Sequence, residues 1–301
     1  MCECADVQMC KWIEANMVRN TFICTSAFRT LLRIFIKIST MRYLLLFAFT
    51  LMNICSMRAQ DMSAYSHETF YHGGDTLRYR LLAPAGADMH KAYPLIIFLH
   101  GSGERGRDNA AQLLHGGALF LRDSIRQQFP AYVLFPQCPD NEAWAPFRLK
   151  RDSSGKVTGA DFPVDVPPTK PGALVKALLD SLLTTGKIDS KRVYLGGLSL
   201  GGIGTFNMLA RYPDMFAAAF PICGAGNPAS AARYAGKVPV WIFHGGEDKV
   251  VPVSFSRDFY AALKKLGAEV KYTEYPGVGH NSWDNAFAEP DLVPWLFRHH
   301  K

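Results

Sequence analysis

Residues 192–213, "RVYLGGLSLGGIGTFNMLARYP", run from an apolar stretch into a glycine-rich turn around Ser199 and on into a segment with helical spacing. A tight turn explains small residues, but not a serine held at its centre with Gly197 and Gly201 two positions either side. A serine in that place sits on a strained backbone above the end of a sheet, where a neighbouring Cβ would clash. The helix that follows brings amide donors and the positive end of its dipole to the same point. G-x-S-x-G in strand–turn–helix context therefore marks Ser199 as a candidate nucleophile rather than a plain Gly-rich turn.

Outward from this turn the pattern is regular. "PLIIFLH" (94–100), "AYVLFPQ" (131–137), "FAAAFPIC" (216–223), "PVWIFHG" (239–245) and "EVKYTEYP" (269–276) read as strands, the first two as continuous apolar runs buried on both faces. Helix-like segments alternate with them: 171–186 with Pro171 at its start, 201–213, and 253–267 ending at Gly267. "ETFYHGGDTLRYRLLAP" alternates around Gly73-Gly74-Asp75 and predicts a hairpin. A hairpin followed by alternating strands and helices implies an α/β fold, a mostly parallel central sheet with helices on both faces. Residues 61–301 are expected to be one domain. The stretch 148–171, rich in Gly, Ser, Pro and charge, reads as a surface loop that rims a site and is too short for a folded lid.

A nucleophilic serine needs a base. For a serine presented in this way the chain order is nucleophile, acid, histidine. Of the nine histidines only His244, His280, His299 and His300 follow Ser199. His244 ends a strand ahead of any acid, and the last two belong to the terminal tail, which leaves His280 in "YPGVGHNSWDN". The acid is expected on the loop after an intervening strand, where "GGEDKVVP" offers Glu247 and Asp248. Asp248 is preferred because it leads directly into "KVVP", with Glu247 as its rival. Oxyanion donors are expected from the backbone N–H of Leu200, and from the loop "HGSGERGRDN", with Ser102 as the candidate.

The 301 residues are 49% hydrophobic and 20% charged, a globular composition. The net charge of +7 is unevenly spread: residues 1–60 hold seven basic against three acidic residues, and the other 26 basic and 23 acidic leave only +3. No Lys/Arg cluster suggests a nucleic-acid face, so nucleic acid is not an expected partner. "MRYLLLFAFTLMNICSMRAQ" (41–60) has a short basic start, an apolar core and Ala59 at its exit, and reads as a signal peptide. Its apolar run is too short to span a membrane. Residues 1–40 then read as a leader or an upstream start, or alternatively as a basic helix carrying Arg29, Arg33 and Lys37; Cys55 stands in a weak lipoprotein context. Five of the seven cysteines lie in this region. Cys138 and Cys223 remain, and buried free thiols are favoured over a bridge. Cys2 and Cys4 lack a second pair at zinc spacing.

Taken together, "FLHGSGERGRDN", "VLFPQCP", "VYLGGLSLGGIGTFNMLARYPDMFAAAFPICG", "VWIFHGGEDKVVPVSFSR" and "KYTEYPGVGHNSW" resemble the α/β-hydrolase superfamily. The likeness is to its phospholipase/carboxylesterase-like members, and among them to a secreted "predicted peptidase" and polysaccharide-esterase branch. The resemblance covers nearly all of residues 65–298. It implies a serine hydrolase with Ser199, Asp248 and His280 as triad, and neither metal nor cofactor. A secreted or periplasmic carboxylesterase acting on acetyl or feruloyl esters of plant polysaccharide is the expectation, with Trp144 and Trp283 as substrate platforms. A peptidase of the prolyl-oligopeptidase type and a non-catalytic carbohydrate-binding protein are the rivals.

Overall fold

The computed structural model describes residues 61–155 and 157–301, so the leader and signal-peptide readings, Cys55 included, lie outside the described residues. Asp61–Lys301 form one compact unit. The chain enters through the antiparallel hairpin β1 (Tyr65–His72) and β2 (Asp75–Leu82). Its two turn residues, Gly73 and Gly74, have φ of 59° and 85°, the left-handed geometry that a two-residue hairpin loop demands. Strands β3 (Tyr93–Leu99), β4 (Tyr132–Pro136), β7 (Ile188–Leu198), β8 (Ala218–Ile222), β9 (Val240–Gly245) and β10 (Val270–Tyr275) complete an eight-stranded sheet in the order β1-β2-β4-β3-β7-β8-β9-β10. All pairings from β4 to β10 are parallel, and β2 joins β4 antiparallel.

Helices cover both faces: α1 (Gly117–Phe120), α2 (Asp123–Gln128), α3 (Lys170–Leu183), α4 (Leu200–Arg211), α5 (Ser254–Lys265), α6 (Trp283–Ala288) and α7 (Leu292–Phe297). The two-residue period of β3 shows how the layers divide. Leu95, Ile97 and Leu99 point into a core shared with α3, α4 and α5, whereas Ile96 and Phe98 join Phe120, Phe287, Leu292 and Trp295 on the other face. Each such fully buried side chain contributes about 1.5–3 kcal/mol. This two-sided burial is why β3 and β4 are apolar at nearly every position. Helix α3 starts where Thr169 accepts the Gly172 N–H at 3.3 Å, with Pro171 in its first turn. Helix α5 turns Phe259 and Leu263 inward and stops before Gly267, whose φ is 68°.

The segment 148–171 differs from the loop expected of its composition. Arg148–Arg151 (β5) and Val157–Asp161 (β6) pair as a separate antiparallel hairpin. Its exit residue Phe162 stacks on Phe147 and meets Phe255 edge-on. Backbone pairing, the cross-strand ion pair of Lys150 with Asp161 at 2.8 Å and this aromatic anchor hold the ribbon, so no alternating apolar face is needed in its sequence. Cys138 and Cys223 are both buried free thiols. No helix among the described residues is long and apolar enough to cross a membrane.

Candidate active site

The parallel strands end along one edge of the sheet, the edge where open α/β sheets place their ligands. Ser199 lies at the end of β7 with φ 51° and ψ −114°, a region that non-glycine residues enter only under constraint. Two hydrogen bonds hold it there: its N–H donates to the Ile222 carbonyl at 2.9 Å, and its carbonyl accepts the Ile203 N–H at 3.0 Å, within helix α4, which begins at the next residue. A Cβ on Gly201 would collide with the Leu99 carbonyl, and one on Gly197 with the Gly201 carbonyl. The two glycines thus let the elbow pack against β3.

The hydroxyl of Ser199 donates to His280 Nε2 at 3.0 Å, and His280 Nδ1 donates to Asp248 Oδ2 at 2.7 Å. Ser199 and Asp248 are each 8% exposed, and the imidazole alone reaches solvent to any extent. The second oxygen of Asp248 accepts the N–H groups of Val250 and Val251 at 2.8 and 2.9 Å. Burial would push this carboxyl up, but hydrogen bonds from His244, His280, Val251 and Val250 outweigh it and hold Asp248 well below the usual carboxylate range. Glu247, the rival acid, is exposed, with its N–H tied to the Val278 carbonyl.

His244 is the residue that chain order passes over. It is fully buried, with Nε2 at 2.9 Å from the Val251 carbonyl and 3.2 Å from Asp248 Oδ2. Both neighbours are acceptors, so Nε2 carries the proton, and Ser256 donates its hydroxyl to Nδ1 at 2.6 Å. The signal for it was present in "FHGGED": a histidine closing an otherwise apolar buried strand has to find polar partners. His100 acts similarly beside the oxyanion loop. The Cys138 N–H donates to its Nε2 at 2.9 Å, which leaves the proton on Nδ1 to bond the Gly101 carbonyl at 2.6 Å. Burial brings His100 down to about 4, so it remains a neutral clamp between the ends of β3 and β4.

Ser102 and Leu200, the expected oxyanion donors, line one cleft of about 400 Å³ together with Arg105, Phe147 and Thr169. Trp283 stands edge-on to His280, ring centres 5.4 Å apart, and its ring also lies tilted against that of His115 at 5.0 Å. Trp144 does not reach the site. It is 1% exposed, donates Nε1–H to the His100 carbonyl at 2.9 Å and lies against Gly204, where a Cβ would meet its own Cβ at 2.6 Å. A large ring with a satisfied N–H is core, and the platform expectation for Trp144 is corrected. The Cys223 sulfur and the ligand atoms of Asp248 and His280 lie within 4.8 Å of one another. Burial pushes that thiol up to about 12, which keeps it protonated and a poor metal ligand.

A profile of the Phospholipase/Carboxylesterase family matches residues 86–289. The bifunctional acetylxylan esterase/xylanase XynS20E of Neocallimastix patriciarum is 33% identical over 87 residues, which are 29% of this chain and 13% of that protein. A thermostable esterase of known structure is 33% identical with TM-score 0.71, over 80% of this chain and 64% of that one. A ferulic acid esterase structure at 17% identity shares the fold, with TM-score 0.58 over 78% of this chain and 98% of the other. The chain spans less than half the length of two of the curated relatives it matches. With its sheet order, its serine elbow and this match over most of the described residues, the chain belongs to the phospholipase/carboxylesterase family of α/β-hydrolases.

Proposed function

We propose that this protein is an exported serine carboxylesterase that removes acetyl or feruloyl groups from plant polysaccharide. The observation that carries the reading is the unbroken line of hydrogen bonds from Ser199 through His280 to Asp248, beside a cleft lined by Ser102 and by Leu200, the residue after Ser199. In the acylation step His280 Nε2 takes the Ser199 proton as Oγ attacks the ester carbonyl. The backbone N–H groups of Leu200 and Ser102 receive the developing oxyanion. Asp248 keeps Nδ1 protonated and balances the imidazolium that forms. His280 then gives its proton to the departing alcohol, and in the second half activates the water that releases the acid. Trp283, against the catalytic imidazole, offers a face to an aryl acyl group.

The polysaccharide part of the reading draws support from the acetylxylan esterase activity in the name of XynS20E, and export from the apolar run 43–54 that follows Arg42. Fluorophosphonate labelling of the wild type and of Ser199→Ala, with rates on p-nitrophenyl esters, methyl ferulate and acetylated xylan, tests the enzyme and its substrates. Labelling is expected only when the serine is present, and EDTA is expected to leave the rates unchanged. Mass spectrometry of the exported protein is expected to find a mature N-terminus close to Gln60.

A further inference from the structure

A second cleft of about 400 Å³ opens along the same edge of the sheet, over the ends of β2 and β4. Because β2 runs antiparallel to β4, its first residue Asp75 and the loop after Pro136 come to that one edge. This cleft and the one lined by Ser102 and Leu200 share Asn141 and Glu142. The two clefts therefore adjoin at these residues, past the end of β3, where one end of an ester held at Ser199 would run.

The walls of the second cleft carry both signs of charge: Arg78, Arg107 and Lys170 against Asp75, Asp140 and Glu142. Lys170 is paired with Asp75 at 3.0 Å, and Arg78 donates to the backbone carbonyl of Arg107. No described residue is hydrogen-bonded to the guanidinium of Arg107 or to the carboxylates of Asp140 and Glu142. Pro139 is the one lining residue with an apolar side chain, so the rest of the apolar wall is backbone and the aliphatic stems of polar residues, which offers no ring-sized apolar pocket to an acyl chain or aryl group. A polyanion would face three carboxylates and a polycation three cationic side chains. Hydroxyl groups, each donor and acceptor at once, pair with both kinds of wall.

We propose that this cleft binds the alcohol side of the ester as a neutral polyhydroxylated chain, with Arg107 and Asp140 bonding hydroxyls of sugars beyond the one that carries the scissile bond. The proposal rests on the polysaccharide-ester reading and assigns a place to the leaving group. In the full chain, Arg107→Ala and Asp140→Ala are expected to lower the ratio of kcat/KM for a feruloylated xylo-oligosaccharide to that for methyl ferulate by about tenfold each. That is the loss of one charge-assisted hydrogen bond, and it is expected in KM. An unchanged ratio in both variants would overturn the assignment. If the wild type cleaves aryl esters but no carbohydrate ester, the polysaccharide reading falls by itself. Binding of xylotetraose to Ser199→Ala, followed by NMR at millimolar sugar, then decides the cleft: binding weakened by Arg107→Ala or Asp140→Ala supports it, and no binding, or binding indifferent to both changes, overturns it.

Discussion

His280 and His244 stand on either side of the same acid, 2.7 and 3.2 Å from Asp248 Oδ2, and their remaining nitrogens separate their roles. The far nitrogen of His280 meets the hydroxyl of a strained serine whose next residue, Leu200, lines a cleft. That of His244 meets Ser256 inside a fully buried pocket. On the proposed mechanism one imidazole exchanges its proton during turnover, because its partner is the proposed nucleophile and solvent is near. The other is locked into one tautomer by two acceptors at Nε2 and a hydroxyl at Nδ1. Residue type and proximity to the acid are shared, so the difference in role rests on the second contact and on the access of solvent.

The comparison breaks most decisively at the serine. Ser199→Ala is expected to lower kcat by about 10⁶ while the protein stays folded, because Ala removes the one partner that gives His280 Nε2 a reaction to serve. Steady-state rates with circular dichroism check both halves. Retention of more than a few per cent of activity would put the nucleophile elsewhere. Asp248→Asn comes next, at roughly 10⁴ in kcat. The amide can present its NH₂ to His280 Nδ1 and thereby favour the tautomer whose Nε2 already holds a proton.

The acid also makes a statement about pH. With its carboxyl held below the usual range, Asp248 stays ionised at every pH at which the enzyme would be assayed. The rate is therefore expected to rise with pH along a single limb, set by the need for a neutral imidazole base. Profiles of kcat/KM for a neutral ester from mildly acid to mildly alkaline buffer test this, and two successive ascending limbs would show the acid titrating as well.

What the sequence made legible follows the same division. Ser199, Asp248 and His280 could be singled out because the elbow motif and chain order are one-dimensional rules. The alternation of strands and helices was equally plain, because two-sided burial makes β3, β4 and β9 nearly all apolar. His244 was invisible to those rules, since it precedes the acid and its role exists only through contacts that the fold creates. Trp144 was misplaced for the complementary reason: the sequence position of a large ring says nothing of which way it turns, and packing over Gly204 took it inward. Helices α1, α2, α6 and α7, four to six residues each, are too short to show a helical period.

His244→Phe sharpens the comparison at an intermediate size. It fills the buried space but removes one donor from Asp248 Oδ2 and leaves Ser256 and the Val251 carbonyl without their partner. The expected cost is about 1–3 kcal/mol of stability and about tenfold in kcat, far less than the loss at Ser199. The sign of the pH effect follows from Asp248. A carboxyl depressed in the folded state contributes stability that is fully present above its unfolded value and is lost as pH falls through the folded one. With one donor removed, the folded value rises toward the unfolded one. The part of the stability gap between wild type and variant that comes through Asp248 is thus full above about pH 4 and narrows below it. Urea unfolding at neutral and acid pH measures it; a gap that widens in acid would mean that His244 acts on the fold without acting on Asp248.

The smallest effect is expected one residue before the acid. Glu247 and Asp248 share a loop, a charge and nearly the same position, yet Glu247 is exposed and its contact within the fold is through its backbone, to Val278. Its carboxylate is solvated, so its charge reaches His280 only through water and salt and is screened within about 10 Å at ordinary ionic strength. Glu247→Gln removes that charge and keeps the size and the backbone, and kcat is expected to change by less than about twofold, within the range of surface electrostatic effects. The measurement has most force when made beside Asp248→Asn under the same conditions, since both variants remove one negative charge from adjacent positions. If net charge near the imidazole were what mattered, the two losses would be similar. If what matters is an acceptor fixed at 2.7 Å from Nδ1, they will differ by several orders of magnitude, and equal losses would return the acid to Glu247 or to neither.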